Sequence, residues 1–312
     1  MVVPGYGLPP TVVERPAPVP GEGEALLRFV AAGLNPVDLA IGAGRFYLPV
    51  PPPPYVAGAE AVATVISSDR FAPGTRVWSL SPTGRFAERF VARDSDLVPV
   101  PDGVPSPLAA ALGIAGLAGW MPITMRGAMA AGERVLVLGG SGIVGQVAIQ
   151  AARAAGASWI VAAARSAAGR ERALGLGADV AVGLEAADLG APLAEAAGEG
   201  IDVVVDMLWG APVVASIAVV RAGARIVHVG TASGPSANVV GAPLRAKRID
   251  IRGFAVFSEP PADVARAYLE VCQAAADGTV VVDIDEVLLA DAADAWAAQA
   301  SQSSGRKLVV VR

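Results

Sequence analysis

The sequence predicts an α/β protein in two parts, a β-rich one and one doubly wound around a parallel sheet. Three observations carry that prediction. The first hundred or so residues are rich in Pro and Gly and hold short β-favouring runs bounded by turn signals such as Pro20-Gly21 and Pro73-Gly74. From about Ala131 the rhythm changes to strand, glycine turn, helix, strand, repeated. Several strands of that second rhythm are near-continuous apolar runs, which suit burial on both faces of a parallel sheet.

In chain order, the strand candidates of the first part are Ala25–Ala32, Ala61–Ile66, Arg76–Leu80 and Phe86–Ala92. The cluster Pro49 to Pro54, broken only by Val50, reads as a stiff surface connection. Gly103 to Met125 carries no charged residue and is long enough to cross a bilayer. Its Pro105, Pro107, Pro122, Gly113, Gly116 and Gly119 suit a packed helix between domains better, so no membrane association is expected. Six strand candidates follow: Val135–Leu138, Trp159–Ala163, Val180–Val182, Ile201–Asp206, Arg225–Val229 and Ile249–Gly253. Between them lie helical segments at Val144–Ala155, Ala168–Leu176, Leu189–Ala197 and Val213–Arg221. A helix at about Ala262–Ala276 and short strands ending in Lys307–Val311 close the chain, and the last strand is expected to rejoin the first part.

Composition removes several function classes. At 312 residues and 54% hydrophobic the chain can bury a sizeable core, which excludes disorder as its main character. Lys plus Arg number 24 against 29 for Asp plus Glu, with no basic run, so no nucleic-acid partner is expected. The single cysteine, Cys272, has no partner for a disulfide within the chain, and with the single histidine, His228, it leaves almost nothing to hold a transition metal. No metal site is therefore expected. Met1 to Val13 shows no basic region ahead of an apolar stretch, and a cytoplasmic location is the expectation.

The strongest motif joins the first strand of the second part to its first helix. Val135 to Leu138 is followed by Gly139 and then by G-x-G-x-x-G at Gly140, Gly142 and Gly145. Gly140 is expected to permit the tight turn, Gly142 to let backbone N–H groups approach a diphosphate, and Gly145 to let helix pack on strand. Backbone from Gly140 through Ser141, Gly142, Ile143, Val144 and Gly145 would then face the diphosphate at the positive end of the helix dipole. Dinucleotide binding is the reading.

The end of the second strand selects the dinucleotide. An NAD site usually places an Asp or Glu about twenty residues past the glycines. Here Ala162-Ala163-Ala164-Arg165-Ser166 contains no acid, and Arg165 stands twenty residues past Gly145. A guanidinium suits a 2′-phosphate, Ser166 adds a hydroxyl, and Arg170 is near enough in sequence to be a second cation. NADPH is the expected cofactor. Gly230 and Thr231, with Phe254, Ala255 and Val256, follow the fifth and sixth strands at the carboxyl edge, where their backbone groups are candidate carboxamide contacts.

Together these residues resemble a known family. Gly33-Leu34-Asn35-Pro36-Val37-Asp38, Pro54-Tyr55-Val56-Ala57-Gly58-Ala59-Glu60, Gly74-Thr75-Arg76-Val77, Gly84-Arg85-Phe86-Ala87-Glu88, Ala115-Gly116-Leu117, the glycine fingerprint, Leu176-Gly177-Ala178-Asp179 and Gly305-Arg306-Lys307 run in the family's order from near residue 25 to the C-terminus. The chain is similar to medium-chain dehydrogenases/reductases of the zinc-free quinone oxidoreductase branch, zeta-crystallin among them. The resemblance implies a GroES-like β-rich catalytic domain from both chain ends (1–115 and 256–312), a Rossmann doubly wound nucleotide-binding domain between them (116–255), and a cleft where nicotinamide meets substrate. It also implies a homodimer, for which the sixth strand at the sheet edge gives a physical motive.

In zinc-dependent relatives a cysteine and a histidine occupy the positions matching Asn35 and Ala59, and neither residue here is such a ligand. Tyrosines common after the Asn-Pro-x-Asp motif are matched by Ala40 and Phe46, with Tyr47 one residue on, and a threonine of the inter-domain helix by Ala118. Candidate catalytic residues are Asn35, as an amide donor or else a turn former, and Tyr47, as a proton donor or else a packing residue. The function that follows is NADPH-dependent, zinc-independent hydride transfer to a quinone or an activated C=C bond, on a small hydrophobic conjugated acceptor. An enone or enoyl-thioester reductase is the alternative within the enzyme class, and a non-catalytic NADPH-binding sensor or structural protein the alternative outside it.

Overall fold

The computed structural model describes residues 1–185, 189–301 and 305–312. The chain divides into two units, the first holding Met1–Ala115, Tyr268–Ala276 and Val282–Arg312, the second Gly116–Ala267 and Asp277–Val281.

In the first unit the strands are β1 (Val2–Val3), β2 (Glu24–Gly33), β3 (Tyr55–Val56), β4 (Glu60–Ser67), β5 (Arg76–Leu80), β6 (Arg89–Arg93) and β7 (Leu97–Pro99). The second unit contributes β8 (Arg134–Leu138), β9 (Trp159–Ala164), β10 (Val180–Gly183), β11 (Ile201–Asp206), β12 (Val220–His228) and β13 (Asp250–Gly253). The chain then returns for β14 (Ile284–Leu288) and β15 (Lys307–Val311).

The first unit's main sheet runs β14-β15-β2-β4-β5-β7, with β6 also paired to β2. Its last strand does rejoin its first part: β15 lies antiparallel to β2, with Val310 opposite Ala32. Alternation along β2 sends Ala25, Leu27 and Phe29 inward and leaves Arg28 outside, as period two requires. Strand β6 starts at Arg89 rather than at Phe86, because the buried Phe86 ring closes over Gly58, whose φ of +98° and absent Cβ make room for it. The expected strand run is thus shortened at its start. Trp78 stacks on Tyr268 with centroids 4.4 Å apart, and the Tyr268 hydroxyl donates to the Ala109 carbonyl at 3.1 Å.

These contacts explain why the chain's return begins at Tyr268 and not at residue 256. Helix Pro261–Ala276 divides between the units, its second half held by Trp78. Residues 277–281 belong to the second unit because the Gln150 side chain donates to the Val281 carbonyl at 3.0 Å and accepts from its amide at 2.8 Å.

All six strands of the second unit's sheet are parallel, in the order β10-β9-β8-β11-β12-β13. Counted from β8 this is 3-2-1-4-5-6, with the order reversing between β8 and β11. Apolar runs in β8, β9 and β11 are buried on both faces, and Leu136, Val161, Val204 and Ile226 meet in the core. Each such side chain contributes about 1.5–3 kcal/mol on full burial. Strand β12 begins five residues before the expected Arg225, since Val220 already pairs with Ile201. Helices Pro36–Gly42, Gly241–Lys247 and Ala292–Ser301 have no counterpart in the sequence reading. The uncharged stretch is a helix over Ser106–Arg126, long and apolar enough to cross a membrane but mostly buried in the protein, as a core helix is.

Candidate functional site

The glycine loop leaves β8 at its carboxyl end. Gly139, not Gly140, makes the tight turn: its φ is +98°, and its amide and that of Gly140 donate to the Ala163 carbonyl of β9 at 3.0 and 2.9 Å. Gly140 is a glycine for another reason, since a Cβ there would stand 2.9 Å from the Ala162 methyl. At Gly145 a Cβ would stand 2.3 Å from the Gly139 carbonyl oxygen, so helix Ile143–Ala154 can start this close to the strand only without one. At Gly142 a Cβ would make only ordinary contact, 3.7 Å from the Gly139 carbonyl oxygen. Gly142 caps the helix, and no side chain binds the first amides. A start of this kind presents Ile143, Val144 and Gly145 N–H groups to an anion, and the Ser141 carbonyl is fixed by the Gln146 amide at 2.8 Å. The residues thus fit a diphosphate.

At the end of β9 the three proposed contacts differ in availability. Arg165 is exposed, and its guanidinium has no partner among the described residues. Ser166 is exposed too, but its hydroxyl oxygen caps helix Ala167–Gly175 by accepting from the Gly169 amide at 3.1 Å. Arg170 departs from expectation. Its Nη1 donates to both Glu185 oxygens at 2.9 and 3.1 Å and to the Arg165 carbonyl at 2.9 Å, so it braces the strand end and is not a free second cation. The Arg170 guanidinium in turn holds the Glu185 carboxyl below the usual carboxylate range.

On the other side of the switch point lie the ends of β11, β12 and β13. Of the five residues whose backbone groups are candidate carboxamide contacts, two have their N–H already committed. The Gly230 amide donates to the Asp206 carbonyl at 3.3 Å and that of Phe254 to the His228 carbonyl at 2.9 Å. The amides of Thr231, Ala255 and Val256 have no partner among the described residues and remain candidates. The sequence reading missed three side chains here. Asp206, fully buried at the end of β11, accepts from the Leu208 and Trp209 amides at 2.9 Å each through Oδ1, and its Oδ2 lies 3.3 Å from His228 Nδ1. The Trp209 ring lies 4.3 Å from the imidazole, centroid to centroid. Trp209 has φ +60° and ψ −160°, a region almost reserved for glycine that costs about 1–3 kcal/mol. An apolar run ending in Asp, one pairing position from a strand-end His, was the available signal.

In the first unit, the two catalytic candidates fare differently. Asn35 is buried, and its Nδ2 donates to the Gly33 carbonyl at 2.9 Å and to Glu60 Oε1 at 2.7 Å, while its Oδ1 accepts from Lys307 Nζ at 2.7 Å. Every hydrogen-bonding group of the amide is spent inside the fold, which corrects the reading of Asn35 as a donor to substrate. Lys307 Nζ also donates to the Leu34 carbonyl at 2.6 Å, and Glu60 Oε2 accepts from Trp78 Nε1 and the Ile114 amide at 3.0 and 2.8 Å. Asp38 accepts from the amides of Asn35 and Ala59, both at 2.8 Å. Burial pushes Asp38 up to about 7 and raises Glu60. It brings Lys307 down to about 8 against the attraction of both carboxylates. Tyr47 is 57% exposed with its ring against Phe46, and its hydroxyl has no partner among the described residues. No group of three or more His, Cys, Asp or Glu able to hold a metal occurs among the described residues.

Residues 21–102 match the family described as alcohol dehydrogenase GroES-like domain, and residues 144–274 that described as zinc-binding dehydrogenase. Quinone oxidoreductase of Rattus norvegicus is 31% identical over 248 residues, covering 77% of this chain and 74% of its own. Prostaglandin reductase-3 of Bos taurus is 28% identical over 253 residues, and the match spans 77% of this chain but 66% of that protein. The quinone oxidoreductase of Thermus thermophilus, solved alone and with NADPH, superposes with a TM-score of 0.83 at 28% identity, over 100% of this chain and 99% of that one.

Proposed function

The chain belongs to the medium-chain dehydrogenase/reductase superfamily, in its quinone oxidoreductase branch, and from that premise we propose that it transfers hydride from NADPH to a quinone or an activated C=C bond without zinc. The observation that carries the cofactor is the pairing of an uncapped glycine loop with a free Arg165 twenty residues on. Loop amides from Ile143 to Gly145 would hold the diphosphate, Arg165 and Ser166 the 2′-phosphate, and the amides of Thr231, Ala255 and Val256 the carboxamide. Bound there, the reduced nicotinamide supplies the hydride.

Zinc independence rests on the donor set. The positions matching a metal-binding cysteine and histidine are Asn35 and Ala59, and the Asn35 oxygen already holds the Lys307 ammonium. With no Lewis acid to polarise a carbonyl, the acceptor must spread incoming charge by its own conjugation. Tyr47 Oη, exposed and unpartnered among the described residues, is the proposed proton donor to the acceptor oxygen. An enone or enoyl thioester is the second acceptor class, favoured by the likeness to a prostaglandin reductase.

A homodimer joined through β13 is part of the proposal. This strand ends the sheet, its outer edge is unpaired among the described residues, and Ile251 is 38% exposed. Asp250 and Arg252 flank it as an ion pair, so the edge is more polar than an apolar reading of Ile249–Gly253 implies.

The deciding experiment follows NADPH oxidation by absorbance with quinones, enones and enoyl thioesters, using protein assayed for metal. Turnover in metal-free protein is expected. Tight NADPH binding with silence across the panel would leave the non-catalytic reading in its place.

A further inference from the structure

The geometry points to His228 as a hydrogen-bond acceptor for the nicotinamide nucleoside, oriented by Asp206 and Trp209; the inference rests on the dinucleotide reading above. The diphosphate loop follows β8, and the free Arg165 at the end of β9 fixes the adenosine half on that side of the switch point. The other nucleoside must then lie over the carboxyl ends of β11 and β12. His228 is the last residue of β12 and stands in register opposite Asp206, the last residue of β11.

Asp206 is fully buried, yet it serves two ends. One oxygen sets the turn by taking the Leu208 and Trp209 amides, and the other faces His228 Nδ1 at 3.3 Å. A carboxylate only accepts, so in the neutral ring Nδ1 carries the proton and Nε2 is left with a lone pair. The Trp209 ring, tilted 47° against the imidazole at 4.3 Å, blocks rotation on one side. The His228 side chain remains 26% exposed, so the acceptor nitrogen is not sealed in the core. An acceptor placed there suits a neutral donor, a ribose hydroxyl or the carboxamide NH₂. Asp206 and Trp209 are positioning residues in this arrangement.

His228 is the chain's single histidine, so its ring nitrogens can be read without assignment. The expected result in long-range imidazole ¹H–¹⁵N spectra is an Nδ1-protonated ring whose Nε2 signal moves with NADPH and not with 2′,5′-ADP. His228→Ala should raise the NADPH Kd about 3- to 10-fold, the loss of one hydrogen bond, and leave 2′,5′-ADP binding within about twofold. Asp206→Asn offers an N–H to Nδ1, inverts the tautomer and should weaken NADPH by a similar factor while His228 stays in place. If the loss on His228→Ala persists with the acetylpyridine analogue of NADPH, the donor is the ribose; if it vanishes, the donor is the carboxamide. An Nε2-protonated wild type, unchanged NADPH affinity in His228→Ala, or equal weakening of NADPH and 2′,5′-ADP overturns the inference. Wild-type protein that binds neither ligand removes the dinucleotide reading and this inference with it.

Discussion

Replacing Arg165 by alanine should weaken NADPH and leave NADH almost untouched. The structure sets the size of the effect. Arg170, the neighbouring cation, is spent on Glu185 and the strand-end carbonyls, so Arg165 is the free guanidinium at that end of β9 among the described residues. One charge-assisted contact is worth about 1.5–3 kcal/mol when well shielded. Arg165 is exposed, and solvent and salt bring this down to about 1–2 kcal/mol, or about 5- to 30-fold in Kd. Titration by nicotinamide fluorescence, with NADPH and NADH in parallel at two ionic strengths, measures it. The gap between wild type and Arg165→Ala should narrow at the higher salt. Equal constants for the two cofactors in wild type, or unchanged NADPH affinity in the variant, would refute the reasoning.

Gly145→Ala places a methyl where 2.3 Å separates it from the Gly139 oxygen, and the loop must open; cofactor affinity should fall more than about tenfold by the same titration. Lys307→Met strips the ammonium from Asn35 and leaves Glu60 buried without a counter-charge, at a cost of about 3–5 kcal/mol in urea unfolding. Titration of the same cluster gives stability a dip with pH. Asp38, raised in the fold to about 7, adds stability that is full below its unfolded value and lost as pH rises through 7, while Lys307, lowered to about 8, adds stability above its unfolded value that is lost as pH falls through 8. Melting temperatures measured across acid to alkaline pH in wild type and Lys307→Met should show the alkaline rise in the first only. Light scattering at micromolar concentration should give twice the 31.3 kDa chain mass, and a monomer would count against the β13 edge as an interface.

The doubly wound sheet was legible because its signals are local. Val135–Leu138, Ile201–Asp206 and their neighbours are near-continuous apolar runs, and the glycines follow at fixed spacing, so the strands and the doubly wound parallel plan could be anticipated without a contact map. What failed depended on contacts distant in sequence. Asn35 reads as a free amide before a proline until Lys307, 272 residues away, is seen bonded to it. Arg170 reads as a spare cation until Glu185 closes on it, and the return of the chain is placed late by a stack between Trp78 and Tyr268. The glycine roles were half legible: Gly145 is dictated by helix packing, but that Gly139 and not Gly140 takes the positive φ depends on how the loop meets Ala162 and Ala163.

The inward commitment of Asn35 bears directly on substrate. Where the zinc-dependent relatives resembled here carry a metal ligand, this chain has an amide locked between Gly33, Glu60 and Lys307, and the ammonium beside it is itself enclosed by Leu34 and Asn35 oxygens. Neither group is free to stabilise an alkoxide. A simple alcohol would have to lose hydride while its oxygen became a carbonyl, with neither Asn35 nor Lys307 available to steady the charge. A quinone or enone reverses the problem, because conjugation carries the arriving charge to an oxygen that solvent or Tyr47 can protonate. Incubation with NADP⁺ and ethanol or longer primary alcohols should therefore yield no NADPH, under conditions where the reduced cofactor is consumed by small quinones or α,β-unsaturated ketones. Tyr47→Phe should slow that consumption without changing NADPH affinity. Robust alcohol oxidation by metal-free protein would mean that an oxyanion is stabilised by some other group, and the mechanism drawn from Asn35 and Lys307 would fall.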